Sequence, residues 1–166
     1  MGRDRRNEDR VEHFTQMIRN TMEAPAWRAL SPVAQALYPW VKLEWRGPKA
    51  NNNGRICLSV RQAAERLGVG VNTAARAFHD LQAKGFLVVT KPARLGIKGQ
   101  ATSPEYELTE VAMPSGESRP RKLYKLWEIG GDFPIHKATV HNAAGTRKKQ
   151  NPVFKLVTPR HRNSDA

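Results

Sequence analysis

Polar side chains recur at helical spacing near the middle of the chain. At about 100° per residue, Asn72, Arg76 and His79 fall on one side of a helix, a side that continues to Ala83. Arginine can fork onto guanine and asparagine can pair bidentately with adenine, so this side suits the edges of DNA bases. An ordinary solvated helix face is the alternative. The side chains expected on the opposite, inward-packing side are Val71, Ala74, Phe78 and Leu81.

A short helix and a tight turn precede these residues. Ser59 is a suitable N-cap, and Gln62 stands where a capping-box partner belongs. Gly68 can end the first helix in a left-handed conformation, and Gly70 can open the second, which should run to about Lys84. Two short helices joined by a glycine turn are the layout of a helix-turn-helix, whose second helix enters the major groove of DNA.

A basic hairpin is expected after the two helices. Residues 86–90 form an apolar, β-rich run and residues 105–109 alternate, which predicts two antiparallel strands. Basic side chains lie between them, so the tip of the hairpin should contact the phosphate backbone or the minor groove. A solvated surface loop is the alternative. The side chains expected to contact the DNA backbone are Ser59, Arg61, Thr73, Lys91, Arg94 and Lys98.

Two further elements are predicted upstream of the helix-turn-helix. Ser31 and Pro32 should start a helix that reaches about Trp45 and is kinked or split at Pro39. Residues 55–58 should form a short strand that pairs with the hairpin. The order helix, strand, helix, helix, strand, strand is that of a winged helix-turn-helix, a mainly α fold with a small antiparallel β wing (α+β).

The sequence predicts three regions. Residues 1–23 form an N-terminal tail and an amphipathic helix from Glu8 to about Met22, residues 24–112 form the domain, and residues 113–166 form a basic, largely disordered tail. The apolar side of the first helix, with Phe14 and Ile18, is expected to dock on the domain. Pairing with a partner, which would make a homodimer, is the alternative. Tyr124 and Trp127 are candidates for docking the tail.

Charge is concentrated in two parts of the chain. The 166 residues carry a formal net charge of +13. Residues 55–98 hold eight basic and two acidic side chains, and residues 119–166 hold eleven and three. This excess favours double-stranded DNA as the partner, because each neutralised phosphate strengthens binding at low salt. RNA or an anionic membrane surface is also compatible, although no long basic amphipathic helix is evident.

The expected location is the cytoplasm, on the nucleoid when DNA is bound. No run of eighteen apolar residues predicts a membrane helix, and the charged N-terminus is not a secretory signal. The single cysteine, Cys57, excludes an internal disulfide and is expected to be a core residue.

Motifs for catalysis are absent from the sequence. It contains no P-loop, nucleophile elbow, HExxH or CxxC. His136 and His141 are five residues apart, a poor helical register for a shared metal. Glu105, Glu107 and Glu110 are the only clustered carboxylates, and the two that alternate on a strand face are expected to be solvated rather than catalytic. The chain is therefore not expected to be an enzyme or to hold a metal, a cofactor or a small-molecule ligand.

Residues 24–110 resemble the winged-helix proteins of bacterial chromosomes, prophages and mobile elements. The resemblance rests on Ala24–Ser31, Asn52–Ile56, Leu58-Ser59, Ala63-Ala64, Leu67-Gly68, Asn72–Ala74, Leu81, Gly85-Phe86 and Tyr106–Thr109. The group is similar to GntR-type regulator domains and to the N-terminal origin-binding domains of phage replication initiators. The resemblance implies a DNA-binding domain whose recognition helix contains Asn72, Thr73 and Arg76. The ligand domain of full GntR proteins needs more than the roughly 55 residues that follow.

The expected function is sequence-specific binding of double-stranded DNA, in transcriptional regulation of a prophage or mobile element. Two alternatives stay open. One is a replication-initiation or origin-binding factor, and the other is a protein-interaction module built on a winged helix.

Overall fold

Helices and a small sheet share one core in the computed structural model, which describes residues 14–93, 102–114 and 119–137. Within these ranges the fold is α+β, with five helices and three antiparallel strands, as the sequence predicts at this level. The helices are α1 (Arg19–Met22), α2 (Pro25–Arg28), α3 (Pro32–Leu43), α4 (Val60–Leu67) and α5 (Val71–Ala83). The strands are β1 (Ile56–Cys57), β2 (Leu87–Lys91) and β3 (Glu105–Leu108). Two 3₁₀ turns span Pro48–Ala50 and Leu123–Lys125.

The sheet has the strand order β1-β3-β2. Ile56 lies opposite Tyr106, and Leu87 lies opposite Leu108. The predicted pairing of a short upstream strand with the hairpin strands is therefore confirmed. An irregularity between Val89 and Lys91 shifts the β2–β3 register, which increases the local twist as the hairpin leaves the core.

The helix α3 starts as predicted but is not split. The Ser31 hydroxyl accepts a hydrogen bond from the amide N–H of Ala34 at 3.3 Å, and Pro32 occupies the first turn. Pro39 lies inside one continuous helix that ends at Leu43, short of Trp45. Because the neighbouring Tyr38 is fully buried in the core, tertiary packing holds the helix together across the missing backbone hydrogen bond.

Aromatic rings form the centre of the core. Trp27, Tyr38 and Phe86 contact one another edge to face, with ring centroids 5.3–5.6 Å apart. Tyr124 stacks on Phe86 at 4.9 Å. Such pairs add about 0.5–1.5 kcal/mol each beyond their buried area. Trp27 thus anchors the α2 connector to the helices and the sheet.

Residues 119–137, called the strap below, pack on the same core. Tyr124 and Trp127 are buried, which confirms their docking. The Phe133 amide donates to the Ala83 carbonyl at 2.9 Å, and Trp127 Nε1 donates to Asp132 at 2.8 Å. The packed unit therefore includes residues that the sequence assigns to the C-terminal tail.

The N-terminal segment departs from its prediction. Of the helix expected over residues 8–22, only Arg19–Met22 is helical in the described part, and residues 1–13 lie outside it. The expected docking of the apolar side is wrong, since Phe14 is 70% exposed and Ile18 49% exposed. Met17 of this segment packs against the core. Polar contacts also hold the segment, because Thr21 donates to Glu110 at 2.5 Å and Lys42 Nζ donates to the Gln16 carbonyl at 2.6 Å.

Glu107 and Glu110 are buried, so the predicted solvation of the two strand glutamates is wrong for Glu107. Glu110 accepts hydrogen bonds from Thr21, Tyr38 and Lys42. Glu107 pairs with Arg121 of the strap through both carboxylate oxygens. Each carboxylate compensates its burial with charged or hydroxyl donors.

Cys57 is exposed, so its prediction as a core residue is wrong. In the two-residue strand β1, Ile56 points inward and the next side chain must point outward. None of the helices described reaches the length and apolar character that crossing a membrane requires.

Candidate nucleic-acid interface

A capped three-residue turn joins α4 to α5. The Gln62 amide donates to the Ser59 hydroxyl at 3.2 Å, and the Ser59 amide donates to Gln62 Oε1 at 3.0 Å, which completes the predicted capping box. Gly68 ends α4 with φ +65°, a left-handed conformation that a glycine adopts without strain. Gly70 caps α5, and its carbonyl accepts from Thr73 at 2.9 Å. The angle between the two helices is thus set locally.

Two contacts fix α5 in the fold. Phe78 stacks on Tyr106 of β3 with ring centroids 5.2 Å apart. The Asp80 carboxylate accepts the Ser31 amide at the start of α3 at 2.7 Å. As predicted, Ala74 and Leu81 are also buried. The outer face of α5 is therefore held at a fixed angle to the core.

At both ends of α5, one side chain differs from its predicted exposure. Val71, predicted to pack inward, is 50% exposed. Ala83, predicted on the exposed side, is only 4% exposed. The strap covers it there through the hydrogen bond from Phe133.

The first half of α5 presents three polar side chains to solvent. Asn72, Thr73 and Arg76 are all exposed. Arg76 makes no hydrogen bond or ion pair with any residue in the described part of the chain. An uncommitted arginine beside an asparagine, one turn apart on a helix, can meet the edges of adjacent base pairs.

His79 lies in a different environment from the other two predicted base-reading residues. It is half-buried at a cleft of about 250 Å³ between α5, the β2–β3 hairpin and the end of the strap. Burial lowers the pKa of His79, and the nearby charge of Lys137 lowers it further. Its imidazole is therefore biased toward the neutral form in the free protein.

Residues of the strap also lie at this cleft, and no signal in the sequence predicts their position there. His136 and Lys137 line the same cleft as His79. They follow the Gly130-Gly131 pair, which is typical of a break, and no periodicity marks them as part of an element. Long-range hydrogen bonds and the packing of the strap on the core bring them to α5.

The predicted backbone-contacting residues have different surroundings. Arg61 is exposed on α4, whereas the Ser59 hydroxyl is used in the capping box. Lys91 is exposed on β2, and its Nζ lies 2.9 Å from the Glu105 carboxylate. Arg94 and Lys98 lie outside the described residues.

Among the described residues, no group of three or more histidine, cysteine, aspartate or glutamate side chains could hold a metal ion. The chain matches no protein-family model, no curated protein and no solved structure. Its function is therefore inferred from the residues themselves.

Proposed function

We propose that this chain is a sequence-specific, double-stranded-DNA-binding protein of the winged helix-turn-helix class, acting in transcriptional regulation of a prophage or mobile element. The observation that carries the proposal is the exposed row of Asn72, Thr73 and Arg76 on the first half of α5. In helix-turn-helix proteins, the first residues of the second helix are those that contact base edges. The net charge of +13 supplies the attraction to DNA.

In the proposed complex, α5 enters the major groove from its N-terminal end. Arg76 would donate two hydrogen bonds to guanine, and Asn72 would pair with adenine. Thr73 would contact a phosphate, as would Arg61 on α4. The β2–β3 hairpin is the wing, and Lys91 would exchange its ion pair with Glu105 for a phosphate. Because that pair is half-exposed, separating it costs on the order of 1 kcal/mol or less.

Selection of bound fragments from sheared DNA of the source genome, at near-physiological salt, tests the proposal. One enriched motif upstream of a gene is the expected result. An array of repeats at an origin would instead indicate a replication initiator. Uniform capture without a motif would show that charge alone causes binding. Failure to bind any duplex at modest salt would leave a protein-interaction module.

The variant Arg76→Ala then tests the reading of bases. We expect it to weaken binding to the selected site by about 1–3 kcal/mol and to affect random DNA little. Arg28→Ala is the matched control, since Arg28 is an equally charged, exposed side chain on α2. Equal losses on both DNAs would make Arg76 a phosphate contact and contradict its assignment.

A further inference from the structure

Hydrogen bonds from their backbone amides fix the last described residues of the strap to α5. The Phe133 amide donates to the Ala83 carbonyl, and the His136 amide donates to Gln82 Oε1, both at 2.9 Å. Gln82 is itself buried, and its Nε2 donates to the Phe78 carbonyl at 3.1 Å. The buried side-chain amide of Gln82 thus makes two hydrogen bonds, which hold it rigidly. Residues 133–137 therefore have a defined place beside the second half of α5.

This attachment places three basic groups at one cleft. His79 comes from α5, and His136 and Lys137 come from the strap. The remaining walls of the cleft are mostly apolar and include Ala75 and Tyr106. No carboxylate is among the described residues that line it. Nitrogen donors that surround a small apolar cavity, with no acidic partner, make a site for an anion.

Nearby carboxylates are engaged elsewhere. Asp80, the next residue on α5, accepts the Ser31 amide at the start of α3. Asp132 of the strap accepts from Lys84 at 2.6 Å and from Trp127. In the described part of the chain, neither His136 nor Lys137 has an ion pair of its own. Among the residues that the structure describes, no carboxylate therefore offsets the charge of Lys137 at the cleft.

The cleft also has a suitable position relative to the base-reading residues. His79 follows Arg76 by three residues, which is about 4.5 Å along the helix axis. If the first half of α5 occupies the major groove, the second half rises out of it toward a sugar-phosphate strand. A major groove about 12 Å wide leaves a helix little room, so its exit must pass close to the phosphates.

We propose that the cleft of His79, His136 and Lys137 binds one backbone phosphate of the duplex, so that the strap is part of the DNA interface. This inference rests on the proposed function. It assigns a DNA contact to residues 136 and 137, which lie outside the helix-turn-helix and the hairpin. It also makes His79 a phosphate contact rather than a base-reading residue.

The test is Lys137→Gln in the full-length chain, with Kd measured between about 0.05 and 0.3 M salt on the selected site and on random duplex. Removal of one phosphate interaction should reduce the slope of log K against log salt by about 0.9. For two chains that bind equally at 1 M salt, that difference in slope makes binding by Lys137→Gln about fivefold weaker at 0.15 M salt. The loss should be the same on both DNAs, because a phosphate carries no sequence information.

Lys125→Gln is the matched control, because Lys125 is exposed on the 3₁₀ turn of the strap and does not line the cleft. It removes the same charge and should leave the slope nearly unchanged. If both variants change binding equally, the cleft is not the site and the inference is overturned. A loss confined to the selected site would also overturn it, since Lys137 would then read a base. If the unaltered chain binds no duplex, the proposed function itself has failed, which is a distinguishable result.

Discussion

Glu110 illustrates how single residues join distant parts of this chain. Its carboxylate accepts from Tyr38 at 2.9 Å and from Lys42 at 2.8 Å, both on α3, and from Thr21 on α1. Burial and the Glu110 charge raise the pKa of Tyr38, so its hydroxyl remains a donor at any physiological pH. Three donors on one buried carboxylate, one of them Thr21, join the N-terminal segment to α3. This explains why Phe14 and Ile18 can remain exposed.

His79 gives a prediction about pH. Its pKa is lowered in the free protein, first by burial and then by Lys137. A phosphate bound at the cleft favours the protonated imidazole and raises this pKa, so DNA binding should take up a proton. Affinity should therefore rise as the pH falls from about 8 to about 6, across the usual range of histidine titration.

The measurement is Kd against pH at constant salt for the unaltered chain and for His79→Gln. His136 lines the same cleft and is present in both chains, so the difference between the two curves isolates His79. In the free protein, Lys137→Gln should raise the pKa of His79, as followed by NMR. Identical pH curves for the two chains would show that His79 does not approach a phosphate.

At the residue scale, the sequence predicts the exposure of those side chains whose surroundings depend only on their own helix or strand. Exposure of Asn72 and Arg76 follows from the period of one helix, and this prediction is confirmed. The surroundings of Ala83 and His79 depend on the strap, which lies about 50 residues later in the sequence. Periodicity carries no information on such a contact. Whether Asn72 and Arg76 read bases stays a prediction.

At the scale of elements, local signals again decide what is predictable. The turn between α4 and α5 follows from Ser59, Gln62 and Gly68, all within ten residues of one another. The hairpin follows from the apolar run at β2 and from alternation within β3. The continuity of α3 through Pro39 does not follow from local rules, because it depends on packing of Tyr38 against Trp27 and Phe86. Tertiary contacts here override the intrinsic preference of the segment.

Two glycines with similar backbone conformations provide a test of how firmly the strap packs. Gly68 has φ +65° with no atom within 4 Å of an added Cβ. Gly85 has φ +76°, and a Cβ there would lie 2.8 Å from the Phe133 ring and 2.9 Å from the Tyr124 nitrogen. Gly68→Ala should therefore cost only the backbone strain of about 1–2 kcal/mol. Gly85→Ala should cost that amount plus about 1–3 kcal/mol for displacing the strap.

Urea unfolding of the two variants and the unaltered chain measures both free energies. Gly68→Ala is the control, because it has the same unfavourable φ without the clash. Equal destabilisation would mean that the strap moves aside freely and does not hold Gly85 in place. The cleft at His136 would then lack a fixed wall.

At the scale of the whole molecule, the residues after 114 divide into two parts with different properties. The strap supplies buried side chains to the core, chiefly Tyr124 and Trp127, and its Arg121 pairs with Glu107. Residues 138–166 hold six basic side chains and one acidic side chain. Stability should therefore depend on the strap, whereas the electrostatic attraction to DNA should depend strongly on the residues that follow it.

Two shortened chains separate these contributions. A chain that ends at Lys137 should keep the free energy of unfolding of the full chain, because it keeps every described contact. A chain that ends at Pro114 should lose on the order of 4 kcal/mol, since Tyr124 and Trp127 each contribute about 2 kcal/mol by burial. With a total stability of about 5–15 kcal/mol, such a loss would leave the shorter chain marginal. Urea unfolding gives both values.

DNA binding by the chain that ends at Lys137 distinguishes general attraction from sequence recognition. Removing the basic residues 138–166 should make log K fall less steeply with log salt, by about 0.9 for each phosphate that the shorter chain no longer neutralises. The ratio of affinities for the selected site and random DNA should stay the same, because α5 and the cleft are retained. If that ratio fell while stability was unchanged, residues 138–166 would themselves contribute to sequence recognition. Base reading would then not be confined to the first half of α5.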